Sequence, residues 1–191
     1  LIWFGISSLK TMEKYNSVLG IFSERLYMKV LTPDRCDAII RTSFGSIGVA
    51  VEENEVAAIR IFPDLFVEKM ARNDLSAEAV RQIGYYLEHP GTCLDLPVKK
   101  TGSETCRRIW EAMMSIPSGE VRTYGELGSL LRLSPAAISL ACQENPLSLY
   151  IPSHRVIAIT GSQGPVGEGD PEHPDIRIKY WLLKHEGFLR A

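Results

Sequence analysis

Residues 151–156 read Ile-Pro-Ser-His-Arg-Val, and Glu186 stands near the end of the chain in Trp181-Leu182-Leu183-Lys184-His185-Glu186-Gly187. Ser153, His154 and Glu186 are the residue types of covalent catalysis: a nucleophile, a base and a carboxylate that orients the base. Two points argue against a Ser-His-Glu hydrolase. Adjacent Ser and His cannot easily make a direct nucleophile–base bond, and no oxyanion hole is evident. A His–Glu pair met alone reads as a structural pair. The four cysteines, Cys36, Cys93, Cys106 and Cys142, are scattered and read as reduced thiols of a cytosolic protein. His89 and Cys93 are four apart and Cys36 could join them on zinc, but no further ligands stand in pattern. The expectation is a protein without metal or other cofactor.

Such residues need a scaffold. Over residues 42–62, Ser46, Gly48 and Ala50 alternate with Ile47, Val49 and Val51, Glu52-Glu53-Asn54-Glu55 forms a polar turn, and residues 56–62 are β-rich. This is a hairpin. Residues 76–87 read as a helix capped by Ser76, with Val80, Ile83, Tyr86 and Leu87 as its apolar stripe, stopped by His89-Pro90-Gly91. Leu94-Asp95-Leu96-Pro97 is extended and leads into a linker over residues 98–102. Ser103 can cap a helix running to about residue 115, with Ile109, Trp110 and Met113 on one face. Thr123 and Glu126 form a capping box for a helix over residues 124–131. Ser134 then caps, and Pro135 opens, a helix over residues 135–143. The two short helices make a helix-turn-helix candidate, although this signal alone favours an ordinary helical hairpin. Pro135, Ala136, Ala137, Ser139 and Ala141 are small, which suits close approach to a core or to a DNA groove; composition alone favours the core. Residues 178–185 form a last helix closed by Gly187. The expected fold is α/β: a small N-terminal α/β domain (42–98) with a β-hairpin sheet, then a mostly helical C-terminal domain (99–191). Residues 1–41 are an unassigned extension.

Composition is that of an ordinary soluble protein of 191 residues, 45% hydrophobic and 23% charged. No run approaches the roughly 18 apolar residues of a membrane span. The apolar residues 1–9 are few and have no basic residue before them, so they read as an extension rather than a signal peptide. A cytoplasmic location, or a nuclear one in a eukaryote, is expected. Net charge is −2, and residues 97–191 hold eleven Lys and Arg against ten Asp and Glu. Any DNA binding must use a local surface rather than a general positive field.

Thr105-Cys106-Arg107-Arg108-Ile109-Trp110, Ile116-Pro117-Ser118-Gly119-Glu120, Thr123-Tyr124, Asn145-Pro146, residues 151–156, Gly161, Gly164 and residues 181–187 follow in an order that resembles the O6-alkylguanine-DNA alkyltransferases. The first half resembles the family more weakly, through Thr42-Ser43-Phe44-Gly45-Ser46-Ile47-Gly48 and Leu94-Asp95-Leu96-Pro97. The resemblance covers about residues 42–191 and is most specific over 103–187. It implies a monomer that binds double-stranded DNA carrying O6-alkylguanine. A helix-turn-helix would enter the minor groove and the damaged base would be flipped into a pocket. A cysteine thiolate would take the alkyl group once, and histidine, oriented by glutamate, would remove the thiol proton through water. On this chain His154 matches the base, Glu186 its orienter, Tyr124 the tyrosine that contacts the flipped base and Asn145 the brace of the active segment. Arg155 matches a structural arginine. Thr123, Ser134, Pro135, Ala136 and Ala137 fall on the DNA-facing helix pair.

Three positions depart from the family. Ser153 stands at the acceptor cysteine, and a hydroxyl is a poor nucleophile for saturated carbon. Ala136 stands where an arginine fills the gap left by the flipped base. Val166 replaces a tyrosine of the pocket loop, and residues 169–178 are lengthened with Asp170, Glu172 and Asp175 added. A single engineered Cys→Ser change would account for Ser153 alone. The alkyltransferase-like proteins, which bind alkylated DNA without transfer, offer a precedent in kind but keep the arginine. The implied function is recognition of alkylated DNA with transfer lost or impaired. An active suicide methyltransferase seen as a serine variant and a non-catalytic interaction protein are the alternatives.

Overall fold

The hairpin expected over residues 42–62 forms and gains a third strand. The computed structural model describes residues 31–158 and 173–189. Strands β1 (Ala38–Thr42), β2 (Gly45–Glu52) and β3 (Glu55–Phe62) make one antiparallel sheet in that order. β1 lies mostly in the stretch that the sequence left unassigned. It shows no clean alternation, because Ala38 and Ile39 are both buried. The Asp37 carboxylate fixes its start by accepting from the Val51 amide at 2.8 Å. Glu53 and Asn54 both take positive φ, the two-residue turn whose twist matches a hairpin.

Residues outside the strands close both edges of the sheet. On β1, the Ile39 and Lys69 amides each donate to the other's carbonyl at 3.0 Å. On β3, the Val56 amide donates to Pro97 O and the Lys99 amide to Val56 O; Ile59 pairs likewise with Pro146 and Ser148. The expected linker over 98–102 is therefore tied to the sheet at its start.

Helix α1 (Asp74–Glu88) begins two residues before the expected one. Asn73 is its cap, and Ser76 completes the reciprocal capping box from inside the first turn. α2 (Glu104–Met114), α3 (Tyr124–Leu131) and α4 (Pro135–Gln143) follow with the expected caps at Ser103, Thr123 and Ser134. Between α3 and α4 the chain turns sharply at Arg132, whose φ is +57°. Gly128 makes this possible: a Cβ there would lie 2.7 Å from Leu133 O. α5 (Pro174–His185) starts four residues earlier than expected, with Pro174 in its first turn and His173 as cap. Asp175, expected in a lengthened loop, is thus in the first turn of this helix. Two short strands, β4 (Arg122–Thr123) and β5 (Val156–Ile157), pair in parallel. At two residues each they carry no readable periodicity.

One apolar cluster joins the halves of the chain. Ile47 and Ile59 of the sheet, Ile83 of α1, Ile109 and Met113 of α2, Ile138 of α4 and Leu182 of α5 are all buried in it. Trp110 adds a directed bond, its indole N–H donating to Ala141 O at 2.8 Å. Among the described residues no helix is long and apolar enough to cross a membrane.

Candidate functional site

Ser153, His154 and Arg155 form a single 3-10 turn that leads into β5. Asn145, just after α4, holds its entry. Asn145 Nδ2 donates to Ile151 O at 2.8 Å and lies 3.4 Å from Ser153 Oγ, while its Oδ1 accepts from the Leu147 amide at 2.9 Å. The Ser153 amide donates to Ile151 O at 2.8 Å. Ser153 remains half-buried, whereas His154 and Arg155 are buried.

Glu186 caps the C-terminus of α5, and its side chain is wholly shielded from solvent. Its Oε1 accepts from Tyr86 Oη at 2.7 Å and Arg155 Nη2 at 2.7 Å, and it faces His154 Nε2 at 3.1 Å. Its Oε2 accepts from Arg155 Nε at 2.9 Å. Arg155 Nη1 donates onward to Ile116 O at 2.6 Å. Four donors saturate the carboxylate. Desolvation pushes its pKa up, but the bonds from His154 and Arg155 outweigh this and hold it well below the usual carboxylate range. Arg155 and Glu186 cancel in formal charge. Burial therefore prevails over the pull of Glu186 on His154, and the imidazole pKa falls below its ordinary value. A carboxylate can only accept, so in the neutral ring Nε2 carries the proton and Nδ1 is the acceptor nitrogen. The arrangement supplies a neutral, oriented imidazole.

The β4–β5 pair sets Thr123 opposite Ile157, and so carries the start of α3 to the exit of the Ser153 turn. Tyr124 is half-buried against the core, and burial raises its hydroxyl to about 12. Lys179 of α5 lies over the Tyr124 ring, 5.9 Å from its centroid, and donates to Val156 O at 2.6 Å. Burial lowers the Lys179 ammonium to about 8; Cys142 of α4 opposes that shift, and its own thiol is raised to about 12 by burial. The sequence did not single out Tyr86 or Lys179. Tyr86 stands in an apolar stripe at helical spacing and reads as core. Lys179 reads as the solvated face of an amphipathic helix.

Ser134, Pro135 and Ala136 are exposed, and Thr123 and Ala137 are half-buried. Of the five small residues on α4 only Ala141 is buried, so the core reading favoured by composition holds for that residue alone. The first turn of α4 faces solvent because Ile138 and Ala141 are the residues turned inward. Val166 lies outside the described residues, as do Gly161, Gly164, Asp170 and Glu172. Cys36 packs with Ile39 and Phe62, its thiol raised to about 11 by burial, and Cys93 is exposed. Among the described residues no three potential metal ligands gather at one place.

The family model for the DNA-binding domain of 6-O-methylguanine DNA methyltransferases matches residues 104–188. A methylated-DNA–protein-cysteine methyltransferase of Methanosarcina acetivorans is 31% identical over 160 residues, covering 78% of this chain and 97% of that protein. A DNA base-flipping protein of Thermus thermophilus is 32% identical over 146 residues, covering 73% of this chain and 92% of that one. Two mycobacterial methyltransferases match over shorter stretches, so that the chain spans only 58% and 62% of their length. Among solved structures, Mycobacterium tuberculosis OGT in complex with DNA is similar at a TM-score of 0.60 and 25% identity, covering 80% of this chain and 94% of that one.

Proposed function

The chain belongs to the methylated-DNA–protein-cysteine methyltransferase family, and from that premise we propose that it recognises O6-alkylguanine in double-stranded DNA by base flipping but does not accept the alkyl group. The observation that carries this reading is the hydroxyl of Ser153, set beside Asn145 and directly before the His154–Glu186 pair. A cysteine thiol ionises near about pH 8.5, within reach of a neutral imidazole. An alcohol does not, so His154 cannot produce the alkoxide that attack on saturated carbon requires. The same turn, bonds and carboxylate would serve a sulfur. The exposed first turn of α4, with Ser134, Pro135, Ala136 and Ala137, is the surface proposed to enter the minor groove as the second helix of a helix-turn-helix. Ala136 supports the flipped state less than an arginine would, since a methyl group cannot fill the vacated stack.

Incubation with duplex containing O6-methylguanine is expected to give no mass gain of one methyl group. Ser153→Cys is expected to recover single-turnover transfer. A stoichiometric gain on the unaltered chain would overturn the proposal. Gel shifts on damaged and undamaged duplex test recognition itself: equal, weak and salt-sensitive binding to both would leave an interaction protein as the better reading.

A further inference from the structure

Tyr86 lies on α1, in the first half of the chain, yet its buried hydroxyl reaches Glu186 Oε1 across 100 residues of sequence. The neighbouring His185 returns to the same residue: its Nε2 lies 2.9 Å from Tyr86 O, and the two rings meet edge to face at 5.4 Å. Trp181 stacks on His185 at 4.9 Å, and Phe44, between β1 and β2, packs on Trp181 at 4.3 Å. The end of α5 is thus gripped by the first half of the chain at two successive residues. Within this contact the phenol hydroxyl has a separable part. Arg155 already supplies the counter-charge through two bonds, and a phenyl ring would fill the same volume. What the hydroxyl adds is one hydrogen bond to Oε1, the oxygen that also receives His154 Nε2.

We propose that Tyr86 is a positioning residue for the His154–Glu186 pair: its hydroxyl fixes Oε1 where the imidazole must meet it, and so the first half of the chain takes part in the chemistry of the second. This rests on His154 acting as the base, as argued above. The test uses the full chain with 15N-labelled histidine. With one donor removed in Tyr86→Phe, the carboxylate holds the imidazolium more strongly, and the His154 midpoint should rise by roughly half a unit or more. Site-specific 3-fluorotyrosine at position 86 keeps the bond, is a stronger donor and should move the midpoint down. In the Ser153→Cys background, Tyr86→Phe should slow methyl transfer about tenfold at neutral pH and shift its pH profile, with lesion affinity changed less than about twofold. A His154 midpoint unmoved by both substitutions overturns the role of Tyr86 whether or not Ser153→Cys transfers. Failure of Ser153→Cys to transfer, with the midpoint shifts present, counts instead against the functional reading alone.

Discussion

At the scale of single residues, the candidate site is one carboxylate with four donors and a histidine whose Nδ1 is its acceptor nitrogen. His154 and Glu186 were legible because they fall in a specific motif order. Tyr86 was not, because nothing local separates a phenol that meets a buried acid from one that packs in a core. Lys179 was hidden in the same way. Its ammonium is lowered to about 8 in the folded chain and sits near about 10.4 when unfolded. At pH 7 both states hold the proton, so the cost of burying the charge is fully present. Between these two values the unfolded chain binds more proton, and stability rises with pH. Urea unfolding should therefore show a wild-type-minus-Lys179→Met difference that grows from pH 7 to 10, by on the order of 3 kcal/mol at most. A difference independent of pH would mean that water reaches the amine.

At the scale of elements, the helix pair α3–α4 presents an exposed and nearly uncharged first turn. Ala136→Arg places one cation there without disturbing Ile138 or Ala141. It is expected to tighten binding to lesion-containing duplex about tenfold and to steepen the dependence of log K on log salt by about one. Unchanged affinity and slope would show that this turn does not meet DNA. The caps of α3 and α4 could be read beforehand because Thr123, Glu126, Ser134 and Pro135 act within one turn of their own sequence. The start of α1 could not, since Asn73 and Ser76 are both good caps and only the reciprocal bond decides between them. β1 is not legible in the sequence because its partner and its anchoring carboxylate bond lie across a turn, at Val49 and Val51.

At the scale of the molecule, the halves share one apolar cluster, and the first half supplies Ile47, Val56, Ile59 and Ile83 to it. Residues 99–191 expressed alone should bind a hydrophobic dye and lose cooperative unfolding, because Trp181 and His185 lose the rings of Phe44 and Tyr86 that pack on them. A sharp transition within a few degrees of the full chain would show that the second half has a sufficient core of its own. The composition near residue 98 reads as a linker and so as a division; the bonds that tie Pro97 and Lys99 to Val56 are between backbones and leave no mark on side-chain pattern. The closed sheet edges carry a further consequence, for synthesis. The outer edge of β3 is completed by Pro146 and Ser148, which leave the ribosome long after β3 itself. Until they arrive, the growing chain carries Ile59 with its amide and carbonyl open to any other extended strand. The interval of greatest exposure to misassembly thus ends when the segment bearing Asn145 and Ser153 emerges, and the sheet is sealed by the same stretch that builds the site.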